Sequence, residues 1–257
     1  MIADLQTAYF DEIEQPGFVR ADQILEEIIS ARDTSFIALL ENVKDSVDVR
    51  MSEFPPDMGT HGPNDDKIRN LVRMKYDLSV SLHQLGLFQA GAVGLEEQYE
   101  LTMEIVNERI DKIPIDVGVQ IVFMRENATS FTPFLLQTLD SIEVVDDKKG
   151  SMIADILRYS EYQDLDKHIV KRVDRFESEY SVWGRLIHAL EGHASEPAVD
   201  FLLNKFRTTP DENKKKTMLS VLCEFSKEPI NNELVRMIEI VIDENRNLLS
   251  SFSRCKN

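Results

Sequence analysis

Apolar residues recur about every 33 positions through the second half of the sequence. One column of them consists of Met103, Leu136, Ile169, Leu202 and Leu234, separated by 33, 33, 33 and 32 positions. Another consists of Met124, Leu157, Leu190 and Leu222, separated by 33, 33 and 32 positions. Around each column, apolar residues follow one another three and four positions apart, as on one face of an α-helix. The spacing therefore predicts a repeated pair of helices.

Two further columns of apolar residues keep the same register. They consist of Ile121, Ala154, Ile187 and Leu219, and of Phe123, Ile156, Ala189 and Val221. A lone pair of helices cannot bury so wide an apolar surface, so neighbouring pairs are expected to stack. The predicted segments are 97–127, 130–162, 164–194 and 196–227, with a final half-repeat at 229–251.

Residues 196–225 carry the clearest example of the repeated pattern. They read Glu-Pro-Ala-Val-Asp-Phe-Leu-Leu-Asn-Lys-Phe, then Thr-Pro-Asp-Glu from Thr209, then Met-Leu-Ser-Val-Leu-Cys-Glu-Phe from Met218. This order of a proline, paired apolar residues, a turn containing Asp and a second apolar helix resembles a HEAT repeat. The resemblance covers about 130–250. It implies an all-α fold, a right-handed alpha-alpha superhelix built from helical pairs of about 33 residues.

The sequence departs from the HEAT pattern in one respect, because it lacks a regular ladder of Asp and Arg between the helices. A period of 33 also suits tetratricopeptide units, but the small-residue positions of that motif are not present consistently. A HEAT-like solenoid is therefore the first prediction and a tetratricopeptide-like solenoid the second.

The N-terminal part is predicted to be helical but less regular. The predicted helices cover 2–14, 21–31, 34–46 and 65–89, and a loop rich in Pro and Gly covers 48–64. We expect residues 1–95 to cap the solenoid and residues 96–257 to form the repeats, within a single continuous domain.

Threonine–proline pairs predict two helix starts. A capping oxygen before a proline at the first helical position suits Thr132-Pro133 and Thr209-Pro210. Pro197 and Pro229, 32 positions apart, are predicted to open two successive first helices.

The chain is acidic. It carries 46 acidic and 29 basic side chains, a net charge of −17. This balance disfavours nucleic-acid binding, which relies on Lys and Arg to replace counterions, and it favours a basic partner.

The two cysteines, the apolar runs and the N-terminus bear on location. Cys223 lies in an apolar helical stretch and Cys255 near the C-terminus, too few cysteines for a disulfide scaffold. The sequence has no apolar run near 18 residues and no signal peptide at its start. We therefore expect a cytoplasmic protein with no membrane contact.

Catalytic and metal-binding arrangements receive little support. Stacking would align Asp155, His188 and Ser220, the residue types of a catalytic triad. Equivalent positions on packed helices lie about 8–10 Å apart, too far for its hydrogen bonds. His188, Glu191 and His193 do not share one helix face. We predict no enzyme activity, no cofactor and no metal site.

The favoured function is a protein–protein interaction module, either an adaptor or an inhibitor, that binds a partner on its concave face. The expected contact residues are Asp155, Arg158, Tyr159, Arg185, His188 and Glu191. Two loop residues, Asp57 and His61, are further candidates. A homodimer through the C-terminal repeat is a second expectation, based on an apolar flank containing Leu234, Ile238, Val241 and Ile242.

A nucleic-acid-associated protein is the alternative, because some HEAT-like proteins are DNA glycosylases. Its phosphate contacts would be the basic triplet Lys214, Lys215 and Lys216. The acidity of the remaining chain counts against this alternative.

Overall fold

The computed structural model describes residues 19–53, 65–110, 118–143 and 147–249. Within these ranges the chain forms twelve α-helices and no strand, which confirms the predicted all-α class. Contacts divide the chain into two compact units, Met1–Phe123 and Met124–Asn257. The sequence predicts a division near residue 95, between the third and fourth helices.

The first unit holds helices α1 to α4. They span Val19–Ala31, Ile37–Ser52, Asp65–Gln89 and Leu95–Arg109, and a 3₁₀ turn at Thr34–Phe36 precedes α2. Helix α3 packs against both α1 and α2. The core between these three helices consists of Ala21, Leu25, Ile28, Leu40, Val43, Val47, Leu71, Met74, Leu78 and Leu85.

The predicted helices 21–31 and 65–89 agree with α1 and α3. Helix α2 continues to Ser52, so the predicted loop at 48–64 begins too early. Val47 extends the apolar stripe of α2 by a further turn and is fully buried, which favours helix beyond residue 46. The predicted helix 2–14 and the loop residues Asp57 and His61 lie outside the described residues.

The remaining helices follow in pairs. Helix α5 spans Gly118–Glu126 and crosses the limit between the units. The second unit holds α6 to α12, which span Ala128–Ser141, Asp147–Leu157, Leu165–Val173, Tyr180–His188, Glu196–Thr208, Glu212–Phe225 and Asn232–Glu244. Short 3₁₀ turns lie at Asp174–Phe176 and Arg246–Leu249.

Helices of the second unit contact one another in two series. Helices α8, α10 and α12 are in contact in that order, and so are α7, α9 and α11. The pairs α6–α7, α8–α9 and α10–α11 contact each other as well. In the predicted apolar columns, Leu157, Leu190 and Leu222 are fully buried. At Gly150, α7 comes so near α9 that an added Cβ would lie 3.0 Å from Val182 Cγ2.

Two of the predicted helix starts are wrong. Helix α6 begins at Ala128, and Thr132 lies inside it, where its buried hydroxyl has two partners. Thr132 Oγ1 donates to the Ala128 carbonyl at 2.8 Å and lies 2.6 Å from Ser160 Oγ. Helix α11 begins at Glu212 and is capped by Asp211, which accepts from Asn213 N at 2.8 Å.

The proline predictions at the first helices are half correct. Ser195 caps α10 and Pro197 lies in the first turn, as predicted. Helix α12 begins only at Asn232, beyond Pro229, and its cap is Asn231.

Cys223 is buried in α11, as predicted, but its sulfur is in a disulfide. This disulfide is not expected from the sequence, whose two cysteines are too few for a disulfide scaffold. None of the described helices combines the length and the apolar character needed to cross a membrane.

Candidate interaction site

A row of charged and aromatic side chains runs across the ends of α5, α7 and α9. We call it the arginine–carboxylate row, and it consists of Arg125, Asp155, Arg158, Tyr159, Arg185, His188 and Glu191. Six of these residues were predicted from their positions on the second helices of the pairs. Arg125 is the additional member that only the structure brings in.

The side chains of the row bind one another. Asp155 lies between Arg125 and Arg185, with Arg185 Nη1 3.3 Å from Asp155 Oδ1. Arg158 forms an ion pair with Glu191, and His188 Nδ1 lies 2.8 Å from Glu191 Oε1. Ion pairs therefore connect three consecutive second helices.

Tyr159 completes the row at the end of α7. The guanidinium carbon of Arg125 lies 5.0 Å from the centre of the Tyr159 ring, within the range of a cation–π contact. Tyr159 is nevertheless 54% exposed. The row thus presents an aromatic surface that an arginine holds in place.

Sequence reasoning missed this pairing because it compared positions 33 residues apart. Arg125, Asp155 and Arg185 are spaced by 30, about one helical turn less than the repeat. Residues one turn apart on neighbouring helices are the ones that meet here. A short Arg–Asp–Arg ladder therefore exists, although the sequence analysis found no regular ladder.

The carboxylate side chains of the row are less exposed than its arginine side chains. The side chains of Glu191 and Asp155 are 11% and 25% exposed. Those of Arg125, Arg158 and Arg185 are 34%, 38% and 51% exposed. Arg158, Arg185 and Tyr159 are the most exposed members of the row.

The hydrogen bonds of a catalytic triad are not formed by these residues. Asp155 binds two arginines, His188 binds Glu191, and Ser220 is buried in α11. His193 Nε2 lies 2.8 Å from the Ser160 carbonyl, so this histidine ties the end of one pair to the next. Among the described residues, no group of three His, Cys, Asp or Glu side chains could hold a metal ion.

Two of the three lysines predicted to contact phosphate make contacts within the second unit. Lys214 Nζ donates to the Glu177 carbonyl at 2.8 Å and lies 5.4 Å from the centre of the Trp183 ring. Lys215 Nζ lies 5.4 Å from the centre of the Phe206 ring. Lys216 follows on the same turn and is half-buried.

Glu177 is the acidic centre of this lysine cluster. Lys205 Nζ lies 3.1 Å from Glu177 Oε2 and 2.8 Å from Asp174 Oδ1. The hydrogen bond from Lys205 is the main reason why the pKa of Glu177 is lowered, and Lys214 adds to the effect. The cluster therefore balances its lysines with carboxylates, which reduces its attraction for phosphate.

Two half-buried groups of the first unit have shifted pKa values. Burial raises the pKa of Asp77 to about 6, against the opposing effect of Arg73, whose Nε lies 3.5 Å from Asp77 Oδ2. Burial lowers the pKa of His83 to about 4. His83 Nε2 lies 3.1 Å from Thr102 Oγ1, and its ring packs edge-on against Phe123.

The predicted apolar flank of the last helix is only partly buried, since Leu234 and Ile242 are half-buried. Ile238 and Val241 are buried, and α12 contacts both α10 and α11. These two side chains are therefore not available to a second copy of the chain. Ile240, on another face of α12, is exposed.

Comparisons with known proteins add no family to this description. No model of a known protein family matches the chain, and no curated protein sequence matches it.

Proposed function

We propose that the chain is a non-enzymatic protein-interaction module, an adaptor or a regulatory protein, whose contact surface is the arginine–carboxylate row. We further propose that the helical pairs continue as a HEAT-like solenoid with the right-handed superhelix of that family. Each helix of the series α7, α9 and α11 contacts the next one, and so does each helix of the series α8, α10 and α12, which supports this arrangement.

The observation that carries the proposal is the continuity of the row across the second helices of three successive pairs, α5, α7 and α9. Its charged groups are bound to one another and are therefore ordered before a partner arrives, which lowers the entropy cost of association. Tyr and Arg are the residue types that most often dominate the energy of protein interfaces, and the row exposes both.

The partner is proposed to be a protein. The net charge of −17 favours a basic partner for the acidic surface outside the row. The predicted cytoplasmic location and homodimer stay predictions.

Substitution of Tyr159 gives the sharpest test. The tagged wild-type chain should retain a stoichiometric partner protein from the lysate of its source at low salt. Tyr159→Ala should reduce that recovery at least tenfold, because the exposed ring is lost while the ion pairs remain.

Tyr76→Ala is the matched control, since Tyr76 is 47% exposed in the first unit. It should keep the partner at the wild-type level. Recovery of the partner protein by Tyr159→Ala at the wild-type level would contradict the placement of the site. Retention of nucleic acid instead of protein, read from the ratio of absorbance at 260 and 280 nm, would contradict the interaction-module proposal itself.

Reversal of charge at Asp155 and Glu191 is a poorer test. Both carboxylates neutralise arginines of the chain, so the double change would leave Arg125, Arg158 and Arg185 repelling one another. Lost binding would then follow from a rearranged row as well as from a lost contact.

A further inference from the structure

We propose that the arginine–carboxylate row binds a short acidic peptide segment of the partner. This inference rests on the proposed function of the row as an interaction surface. It assigns to the row a ligand of the opposite charge to the one that the net charge of the chain favours.

The charged side chains of the row differ in how far they are exposed to solvent. Each carboxylate side chain of the row is less exposed than every arginine side chain that it binds. The row also contains three arginines and only two carboxylates. The surface met by a ligand is therefore positive, although the chain as a whole is acidic.

The arginines of the row have more N–H donors than its carboxylates occupy. A guanidinium group has five N–H donors in a planar fork that matches a carboxylate. Within the part of the chain that the structure describes, Arg185 donates only to Asp155 and Arg158 only to Glu191. Both arginines keep donors for the carboxylates of a ligand.

The ion pairs also fix the spacing of these donors. Arg185 lies on α9, and Arg158 follows directly after the last residue of α7, three positions beyond Asp155. Arg158 and Arg185 are therefore held on adjacent elements by Glu191 and Asp155. Tyr159, stacked with Arg125, would accept an apolar side chain of the same peptide.

The local scale of this charge favours a short peptide over a nucleic acid. Charges are screened beyond about 8–10 Å at physiological salt, so a short segment interacts mainly with the row. A nucleic acid extends further and meets the surface of a chain whose net charge is −17. Repulsion there would oppose its binding.

A peptide selection tests the charge of the ligand without assuming its sequence. A random dodecapeptide library displayed on phage is selected on the full-length chain, and in parallel on the double variant Arg158→Gln/Arg185→Gln. Peptides enriched on the wild type over the double variant should carry an excess of Asp and Glu. Enriched peptides with no charge excess, with an excess of Lys and Arg, or no enrichment at all would overturn the proposal.

The strongest peptide then gives a quantitative comparison by fluorescence anisotropy. Its Kd should rise at least tenfold with the double variant and stay within twofold with Arg236→Gln, because Arg236 is an exposed arginine of α12 outside the row. An unchanged Kd for the double variant would overturn the proposal. A twelve-nucleotide oligothymidine that binds more tightly than the peptide through the same arginines would assign the row to nucleic acid.

Circular dichroism checks that the variants are folded. If the double variant is not, Arg185→Gln alone is used, since Asp155 keeps Arg125 as its partner. Failure of this inference is distinguishable from failure of the proposed function. A partner protein that Tyr159→Ala loses, but whose contact segment is not acidic, would remove the acidic ligand and leave the interaction module in place.

Discussion

Asp77 shows how a single side chain can acquire a pKa far from its usual value. It lies on α3 beside Arg73, but Arg73 is shared with Asp22, whose Oδ2 lies 2.9 Å from Arg73 Nη2. Burial and the negative charge of Asp22 therefore outweigh the attraction of Arg73, and the pKa of Asp77 rises to about 6. Local sequence does not indicate this, because Asp22 lies on α1, 51 positions before Arg73.

We expect Asp77→Asn to stabilise the protein at neutral pH. The folded state holds the Asp77 proton up to about pH 6, and the unfolded state releases it near pH 4. The free energy of unfolding therefore falls as the pH rises between these values. A shift of about two pKa units corresponds to about 3 kcal/mol. Partial exposure reduces this, so we expect a gain of about 1–2 kcal/mol above pH 6.

Denaturation followed by circular dichroism between pH 4 and pH 8 would measure this gain. The advantage of Asp77→Asn should disappear near pH 4, where Asp77 is protonated when the protein is folded. Asp48→Asn is the control, because Asp48 is paired with Lys75 at 2.6 Å, and it should bring no gain. A constant difference across the pH range would contradict the assignment.

At the scale of the helices, junctions between pairs depend on side chains from both pairs. Ser195 accepts a hydrogen bond from Ala198 N at 3.3 Å and caps α10. Its hydroxyl also binds the buried carboxylate of Asp166 in the first turn of α8. One serine hydroxyl therefore accepts a hydrogen bond from an N–H group in the first turn of α10, where backbone N–H groups have no partner within the helix. It also donates a hydrogen bond to the buried carboxylate of Asp166 on α8.

We expect Ser195→Ala to lower the free energy of unfolding by about 2 kcal/mol. Loss of an N-cap costs about 1 kcal/mol, and a buried acceptor without its donor costs about as much again. Urea denaturation would measure the loss. Ser141→Ala is the matched control, because Ser141 Oγ is exposed and donates to the Thr138 carbonyl, and it should change stability by less than about 0.5 kcal/mol. Equal effects of the two variants would show that the junction contributes nothing.

The limits of sequence reasoning are visible in the helix starts. Pro197 was placed correctly because a proline in the first turn follows a local rule. Thr132-Pro133 carries the same local signal, yet it lies inside α6, where Thr132 binds Ser160 from 28 positions away. A long-range partner for the threonine thus outweighed the local preference.

At the scale of the whole molecule, the acidic excess dominates the electrostatics. Most ion pairs of the described residues are partly exposed and each contributes little. The net charge of −17 means that acidic side chains outnumber basic ones, and the excess carboxylates repel one another. On helix α4 the exposed Glu100, Glu104 and Glu108 follow one another four positions apart, where like charges destabilise a helix.

We therefore expect salt to stabilise the protein. Raising sodium chloride from about 20 mM to about 300 mM shortens the Debye length, and the Tm should rise by about 2–5 °C. Thermal denaturation followed by circular dichroism would measure it. Glu104→Lys should raise the Tm at low salt and reduce the gain from salt. A fall of the Tm with salt would mean that the ion pairs outweigh the self-repulsion.

The sequence by itself determined the helical class and, without the exact helix starts, the segments of the second unit that form helices. Those properties follow from local periodicity, since residues three and four positions apart share a face whatever the remaining chain does. It also located six members of the candidate site, because exposed positions on successive helices follow the same spacing as the buried columns.

Only the tertiary structure decided how those side chains pair. The meeting of Arg125, Asp155 and Arg185 depends on the offset between neighbouring helices, which their packing sets and no local pattern encodes. The same packing leaves the carboxylate side chains of the row less exposed than the arginine side chains that they bind. The pairing of charges within the row is therefore a property of the packed helices, whereas the charge of the chain is a property of its sequence.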